Sequence, residues 1–178
     1  VGAVPFLKVS SLSAEDMNVR DWRWFVGDSY DSASLPTSFV VFPKRGAAIF
    51  GNKVNVADRP AMIDPNLMGW EIFESADTLY MAYALKARRI SELADISTVP
   101  QINNKHISPE RFPLPPLEEQ EQIARFLKNA VAQYDNLATE AQHATDLLQE
   151  RRAALISAAV TGKIDVRGAV LPEDREAA

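Results

Sequence analysis

The sequence contains no cysteine and only two histidines among its 178 residues. Without cysteine there is no disulfide framework, no thiolate metal site and no cysteine nucleophile, a composition that fits a cytoplasmic protein. Self-contained redox chemistry is excluded on the same ground. No run of 18 apolar residues occurs, and the opening VGAVPFLKVSS has no basic n-region, so neither a membrane-spanning helix nor a secretory signal is read here. The chain starts with Val instead of Met, and a fragment or a processed product is expected.

What is present is an ordinary globular composition. Apolar residues make up 47%, charged residues 24%, and the formal net charge is -5. Such a chain can bury a sizeable core and is neither disordered nor fibrous. Its composition shifts at Pro113, Pro115 and Pro116. Up to Leu117 lie all three Trp, three of four Tyr and seven of eight Phe, with 12 basic and 13 acidic residues, whereas 7 basic and 11 acidic residues follow. The first region therefore owns the aromatic core, and the acidity belongs mainly to the second.

In the first region short β-like runs (VPFLKV, WRWFV, SFVVFP, AAIFG, KVNVA) alternate with Pro36, Pro43, Gly46, Gly51 and Pro60. One helical pattern spans Asp77 to Ala87, with Leu79, Tyr83 and Lys86 or Leu79, Ala82 and Leu85 sharing a face. The stretch ELADISTVPQINNKHISPERFPLPP reads as loop and extended chain, because each proline biases its predecessor away from helix. Strands with one or two helices predict an α+β domain.

The second region carries a sustained 3.5-residue period: Ile123, Leu127, Ala130, Tyr134, Leu137, Ala141, Ala144, Leu148, Arg151, Leu155 and Ala158. All but Arg151 are apolar or aromatic, which is the signature of a coiled-coil seam. Glu118, Glu119 and Glu121 favour the helix start and Gly162 its end. A helix of that length runs roughly 65 Å, too long to fold into a small core, so its seam calls for a partner helix. The predicted organisation is residues 1–112 as a mixed α/β domain, 113–162 as a proline-led helix pairing antiparallel with a partner, and 163–178 as a tail.

Chemistry-bearing patterns are few. Arg45 to Lys53 has two glycines and a lysine but neither the spacing nor the hydroxyl of a phosphate-cradling loop, and reads as a turn. His106 and His143 are far apart and support neither a metal site nor a general base. Asp64-Pro65-Asn66-Leu67 has the acidic-proline start of an amino-methyltransferase loop but not its second proline or its aromatic, leaving an Asp-Pro turn. No nucleophile elbow such as G-x-S-x-G exists to support a Ser, His and Asp triad. Two turn-bounded groups remain: Lys44, Arg45, Asn52 and Lys53, and Gln101, Asn103, Asn104 and Lys105. Lys and Arg bind phosphates, while Arg, Asn and Gln make the bidentate contacts that distinguish bases. For each residue singly, solvated surface is the competing reading, and a DNA-binding chain needs one basic face, not a basic total.

Two longer strings narrow the field. FPLPPLEEQEQIARFL, and LLQERRAALISAAVTGKIDVRG after it, resemble the C-terminal half of the DNA specificity subunit of type I restriction-modification systems. VPFLKVSSL, SFVVFPKRGAAIFGNKV, AMIDPNLMGW and DISTVPQINNKHI are similar to successive segments of that family's target recognition domain. The resemblance implies a recognition domain that reads one half of a bipartite DNA site and a spacer helix that acts as a ruler. It implies no catalysis and no cofactor in this chain. Modification subunits supply the methyltransferase site and S-adenosylmethionine, and a restriction subunit supplies ATP- and Mg-dependent translocation and cleavage. Subunits of the family hold two recognition domains and two antiparallel helices, where this chain has one of each and lacks the first strand of a recognition domain. A fragment, or a half-length subunit pairing with itself, is expected. Two alternatives stand beside it: a coiled-coil interaction module that binds protein instead of DNA, and the recognition part of a fused methyltransferase.

Overall fold

The computed structural model describes residues 4–27, 36–96 and 98–168. It divides into two compact units, Val1–Leu127 and Lys128–Ala178. The first is built on two small sheets. Strand β1 (Val4–Leu7) lies between β2 (Phe25–Val26), antiparallel to it, and β5 (Met62–Ile63), parallel to it. Strand β3 (Phe39–Pro43) lies between β4 (Asn55–Ala57) and β6 (Leu67–Trp70), antiparallel to both.

Every residue of β3 is buried, which explains why SFVVFP is a continuous apolar run and not an alternating one. Successive side chains enter different cores. Val40 and Phe42 pack with Val54, Val56, Ala82, Leu85, Ile90, Leu93 and Ile102. Phe39 and Val41 pack with Leu7, Leu12, Val19, Ala57, Ala61 and Leu67. The outer edge of β4 is covered by residues 17–19: Val19 N–H donates to Val56 O at 2.9 Å, and Val56 N–H to Met17 O at 2.7 Å.

Helix α1 (Thr78–Arg88) starts at Asp77, whose carboxylate accepts from Tyr80 N–H at 2.7 Å. It is buried on two sides. Ala82 and Leu85 face the β3 core, which selects the second of the two faces predicted from sequence. Tyr80 and Met81 pack instead on Ala124. A short α2 (Asn104–Ile107) precedes α3 (Leu117–Val160), a helix of 44 residues, roughly 66 Å at 1.5 Å per residue. After α3, Gly162 at φ +70° closes a Schellman turn, its N–H donating to Ala159 O and that of Lys163 to Ala158 O.

The α+β class with a long C-terminal helix is therefore the observed one. Some local expectations fail. AAIFG forms a 3-10 helix (Ala47–Gly51), because Gly46 at φ +79° and left-handed Asn52 bracket it with turns. Strands β5 and β6 have no counterpart among the predicted runs, and Asp64-Pro65-Asn66 is the turn joining them, with Asp64 accepting from Asn66 N–H at 2.7 Å. The stretch read as loop holds a 3-10 helix (Ile90–Leu93) and α2, both anchored by buried Ile90, Leu93 and Ile102. Among the described residues, no helix is long and apolar enough to cross a membrane.

Candidate nucleic-acid interface

Strand β3 ends at Pro43, and the chain then turns outward through Lys44 and Arg45. The main chain of this corner is paired throughout. Lys44 N–H donates to Asn66 O at 2.8 Å, Ile102 N–H donates to Lys44 O at 2.8 Å, and Gly46 N–H donates to Pro100 O at 2.8 Å. Arg45 and Gln101 form an antiparallel bridge, and Gln101 bridges in turn to Asp95. The two groups proposed separately from sequence thus meet, stitched by backbone bonds. Arg45, Thr98, Val99 and Gln101 line one open hollow of about 360 Å³.

The same surface continues through the 3-10 turn to Asn52 and Lys53 and, across a side-chain link, to the end of α1. Asn52 donates from Nδ2 to Lys86 O at 2.9 Å and accepts at Oδ1 from Ile90 N–H at 3.2 Å. Residues 44–53, 88–95 and 98–105 carry six basic side chains, Lys44, Arg45, Lys53, Arg88, Arg89 and Lys105, against Glu92 and Asp95. Positive charge is concentrated here in a chain whose net charge is -5.

Not every basic group on this surface is free for a ligand. Arg88 is held by Glu110 at 2.7 Å and Glu92 at 2.9 Å, and these carboxylates, Glu110 foremost, push its pKa up. Arg45 and Lys105 are exposed, Lys44 and Lys53 half-buried. Asn103 and Asn104 are exposed at the start of α2, where Asn103 N–H donates to His106 Nδ1 at 3.2 Å. His106 therefore organises a helix start. Asn52 needs correcting: both ends of its amide are used on backbone groups, so it braces the surface and has no group left to read a base. Thr98, Val99 and Arg89 belong to this surface but were not selected from sequence. Thr98 and Val99 carry no charge signal, and only the pairing of Arg45 with Gln101 brings them in.

The seam residues divide between the two units. Ile123 is half-buried against the cluster of Tyr80, Met81 and Ala124, so it helps seat α3 on the first unit instead of waiting for a partner helix. Leu127 and Ala130 are half-buried. Tyr134 is 72% exposed, Leu137 60%, Leu148 65% and Leu155 52%, and Ala141 and Ala144 are also exposed. Large side chains beside the seam, Leu147 and Ile156, are exposed as well. Among the described residues no cluster of His, Cys, Asp or Glu is arranged to hold a metal ion.

An α+β domain that gathers basic and amide side chains on loops at one end, followed by a long helix with an uncovered apolar seam, is the class of protein these features define. The family model of the type I restriction modification DNA specificity domain matches residues 24–144, and the chain belongs to that family. The specificity subunit of the type I restriction enzyme EcoBI from Escherichia coli is 26% identical over 154 residues, covering 83% of this chain and 32% of that protein. This chain thus spans about a third of the curated relative's length. A chain from a structure of complex assembly and conformational transition in the type I R-M system superposes with a TM-score of 0.69 at 21% identity, over 89% of this chain and 38% of that one. The HsdS subunit from Thermoanaerobacter tengcongensis superposes with a TM-score of 0.53 at 20% identity, over 79% and 32%. At these identities the likeness concerns the fold.

Proposed function

We propose that this chain is a sequence-specific DNA-binding specificity subunit, or half of one, in a type I restriction-modification complex. It reads one half of a bipartite site in double-stranded DNA and docks modification subunits. The observation that carries the reading is the bridge between Arg45 and Gln101, which merges two loops into one basic, amide-bearing surface on an acidic protein. Arg pairs with guanine and Gln with adenine in the major groove, and an apolar side chain such as Val99 suits the thymine methyl. The chain itself performs no catalysis. Methylation with S-adenosylmethionine, and Mg- and ATP-dependent cleavage, belong to modification and restriction subunits. Helix α3 pairs antiparallel with a second copy, or with the other half of a longer subunit, and sets the distance between half-sites.

Methylome sequencing of the source strain with and without the gene tests this directly. Loss of one bipartite methylation motif on deletion is the expected outcome. Survival of every motif would overturn the proposal and favour a protein-binding coiled-coil module.

A further inference from the structure

Arg89 has a backbone that its side chain does not favour. It follows the last turn of α1 at φ +60° and ψ +99°, a region where a Cβ meets its own backbone and glycine does not. The neighbouring structure holds it there. Its own N–H donates to Lys86 O at 3.2 Å, and Asn52 grips the residues on either side, at Lys86 O and Ile90 N–H.

Neither of the usual local reasons accounts for an arginine at this corner. The carbonyl end of α1 already has Lys86 and Arg88 in its last turn to meet the helix dipole. An ion pair is not the reason either, since Arg88, not Arg89, takes Glu92 and Glu110, and among the described residues no carboxylate pairs with Arg89. The side chain is exposed. Asn52 is followed by Lys53 and preceded, through one 3-10 turn, by Arg45, so Arg89 stands at the margin of the basic surface. The segment it opens leads to Asp95, the bridge partner of Gln101.

We propose that Arg89 is a DNA-backbone contact, its guanidinium presented to a phosphate by a corner that Asn52 holds in place. Non-glycine residues kept in such conformations concentrate where a binding surface needs a fixed direction. Asn52 is then a positioning residue that acts through Arg89. The inference rests on the DNA-binding reading above and assigns one of its phosphate contacts.

The test measures binding of the full chain to duplex DNA by fluorescence anisotropy between about 50 and 200 mM salt, with a thermal melt of each variant. Because glycine suits the corner, Arg89→Gly should melt at or above the parent temperature. It should nevertheless bind more weakly, and its salt slope should be shallower by about 0.9, so that the parent loses about 3.5-fold more affinity than the variant across that range. Asn52→Ala should weaken binding in the parent but add nothing on top of Arg89→Gly. A parent chain that binds no duplex even at low salt removes the DNA reading as a whole. A parent that binds, with Arg89→Gly matching it in affinity and slope, overturns the role of Arg89 alone. So does an Arg89→Gly protein that melts below the parent, since the backbone would then favour arginine for its own sake.

Discussion

The side chain of Gln120 in α3 accepts a hydrogen bond from the backbone N–H of Asp77, the residue that caps α1, at 2.9 Å. Its other end donates to Pro115 O at 2.8 Å, and the side chain is fully buried. Tyr80 adds a parallel tie, its hydroxyl donating to Pro113 O at 3.0 Å. The proline-rich lead and the glutamine three residues after Leu117 thus work as one device that fixes the start of the long helix against the start of the short one.

Removing it has a defined cost. Gln120→Ala strands the buried N–H of Asp77 and the carbonyl of Pro115, and should lower unfolding stability by about 1–3 kcal/mol. Gln122→Ala, exposed on the same helix, should stay within about 0.5 kcal/mol. Urea titrations followed by circular dichroism compare the two, and equal midpoints would remove Gln120 from this role.

How far this architecture could be read in advance depended on the range of the interactions involved. Helix α3 was legible because a 3.5-residue period is a local signal repeated many times, and α1 because Asp77 opens an amphipathic run. Strands β5 and β6 were not, since Met62–Ile63 has only two residues and Leu67–Trp70 owes its place to pairing with β3. The AAIFG run was misread because turn residues on both sides of an apolar stretch fit a strand as well as a 3-10 helix. In the candidate site, residue type pointed to both loops, but only tertiary pairing shows that Arg45 meets Gln101 and that Asn52 is consumed by bracing. The family strings carried what composition could not.

Side chains on the basic surface should separate into two behaviours. Lys44→Ala and Lys53→Ala remove phosphate-type charge and should weaken DNA binding on all sequences, each reducing the salt slope by about 1. Asn103 and Asn104 are amide groups at the exposed start of α2, and their replacement should change the base preference at one position by about 1–3 kcal/mol. Binding to a panel of duplexes at several salt concentrations distinguishes these. Four variants with unaltered affinity and preference would move the interface elsewhere.

Burial makes Lys86 a probe of the α1 end. Its ammonium donates to Ala14 O at 2.6 Å, and burial pulls its pKa below 10.5, opposed by the nearby charge of Asp16. In the window between the folded value and 10.5 the unfolded chain holds more protons, so this group's contribution to stability rises with pH there. Tyr83 acts in the opposite sense above 10, since burial raises its pKa and the unfolded chain ionises first. Because Tyr83 is common to both proteins, the difference between the parent and Lys86→Met isolates the lysine. Relative to the variant, the parent should gain stability from about pH 8 to about pH 10, measured by urea unfolding; parallel curves would contradict the shift.

The uncovered seam should drive association. Leu137, Leu148 and Leu155 are exposed in the single chain, and each is worth roughly 1.5–3 kcal/mol when fully buried. Light scattering at tens of micromolar should therefore give a two-chain mass, and Leu137→Asp with Leu148→Asp should return it to one. A parent chain that stays monomeric would mean that α3 is covered only by some other polypeptide.

If α3 is a ruler, its length must appear in the DNA sequence that becomes modified. Each four-residue insertion lengthens a helix by about 6 Å, near two base-pair steps, and turns everything beyond it by about 40° relative to whole turns. A heptad instead preserves the seam phase while adding about 10 Å. Placed between Ala138 and Ala144, where the helix is exposed and carries no long side chain of the seam, either insertion should leave the half-site sequences unchanged and widen the spacer between them. The heptad should be tolerated better, because it keeps Leu148 and Leu155 in register with Leu137. Methylome sequencing of strains carrying each insertion gives the spacer directly. An active heptad variant whose spacer is unchanged would make α3 a dimerisation element only, with the separation set by how the modification subunits clamp the DNA.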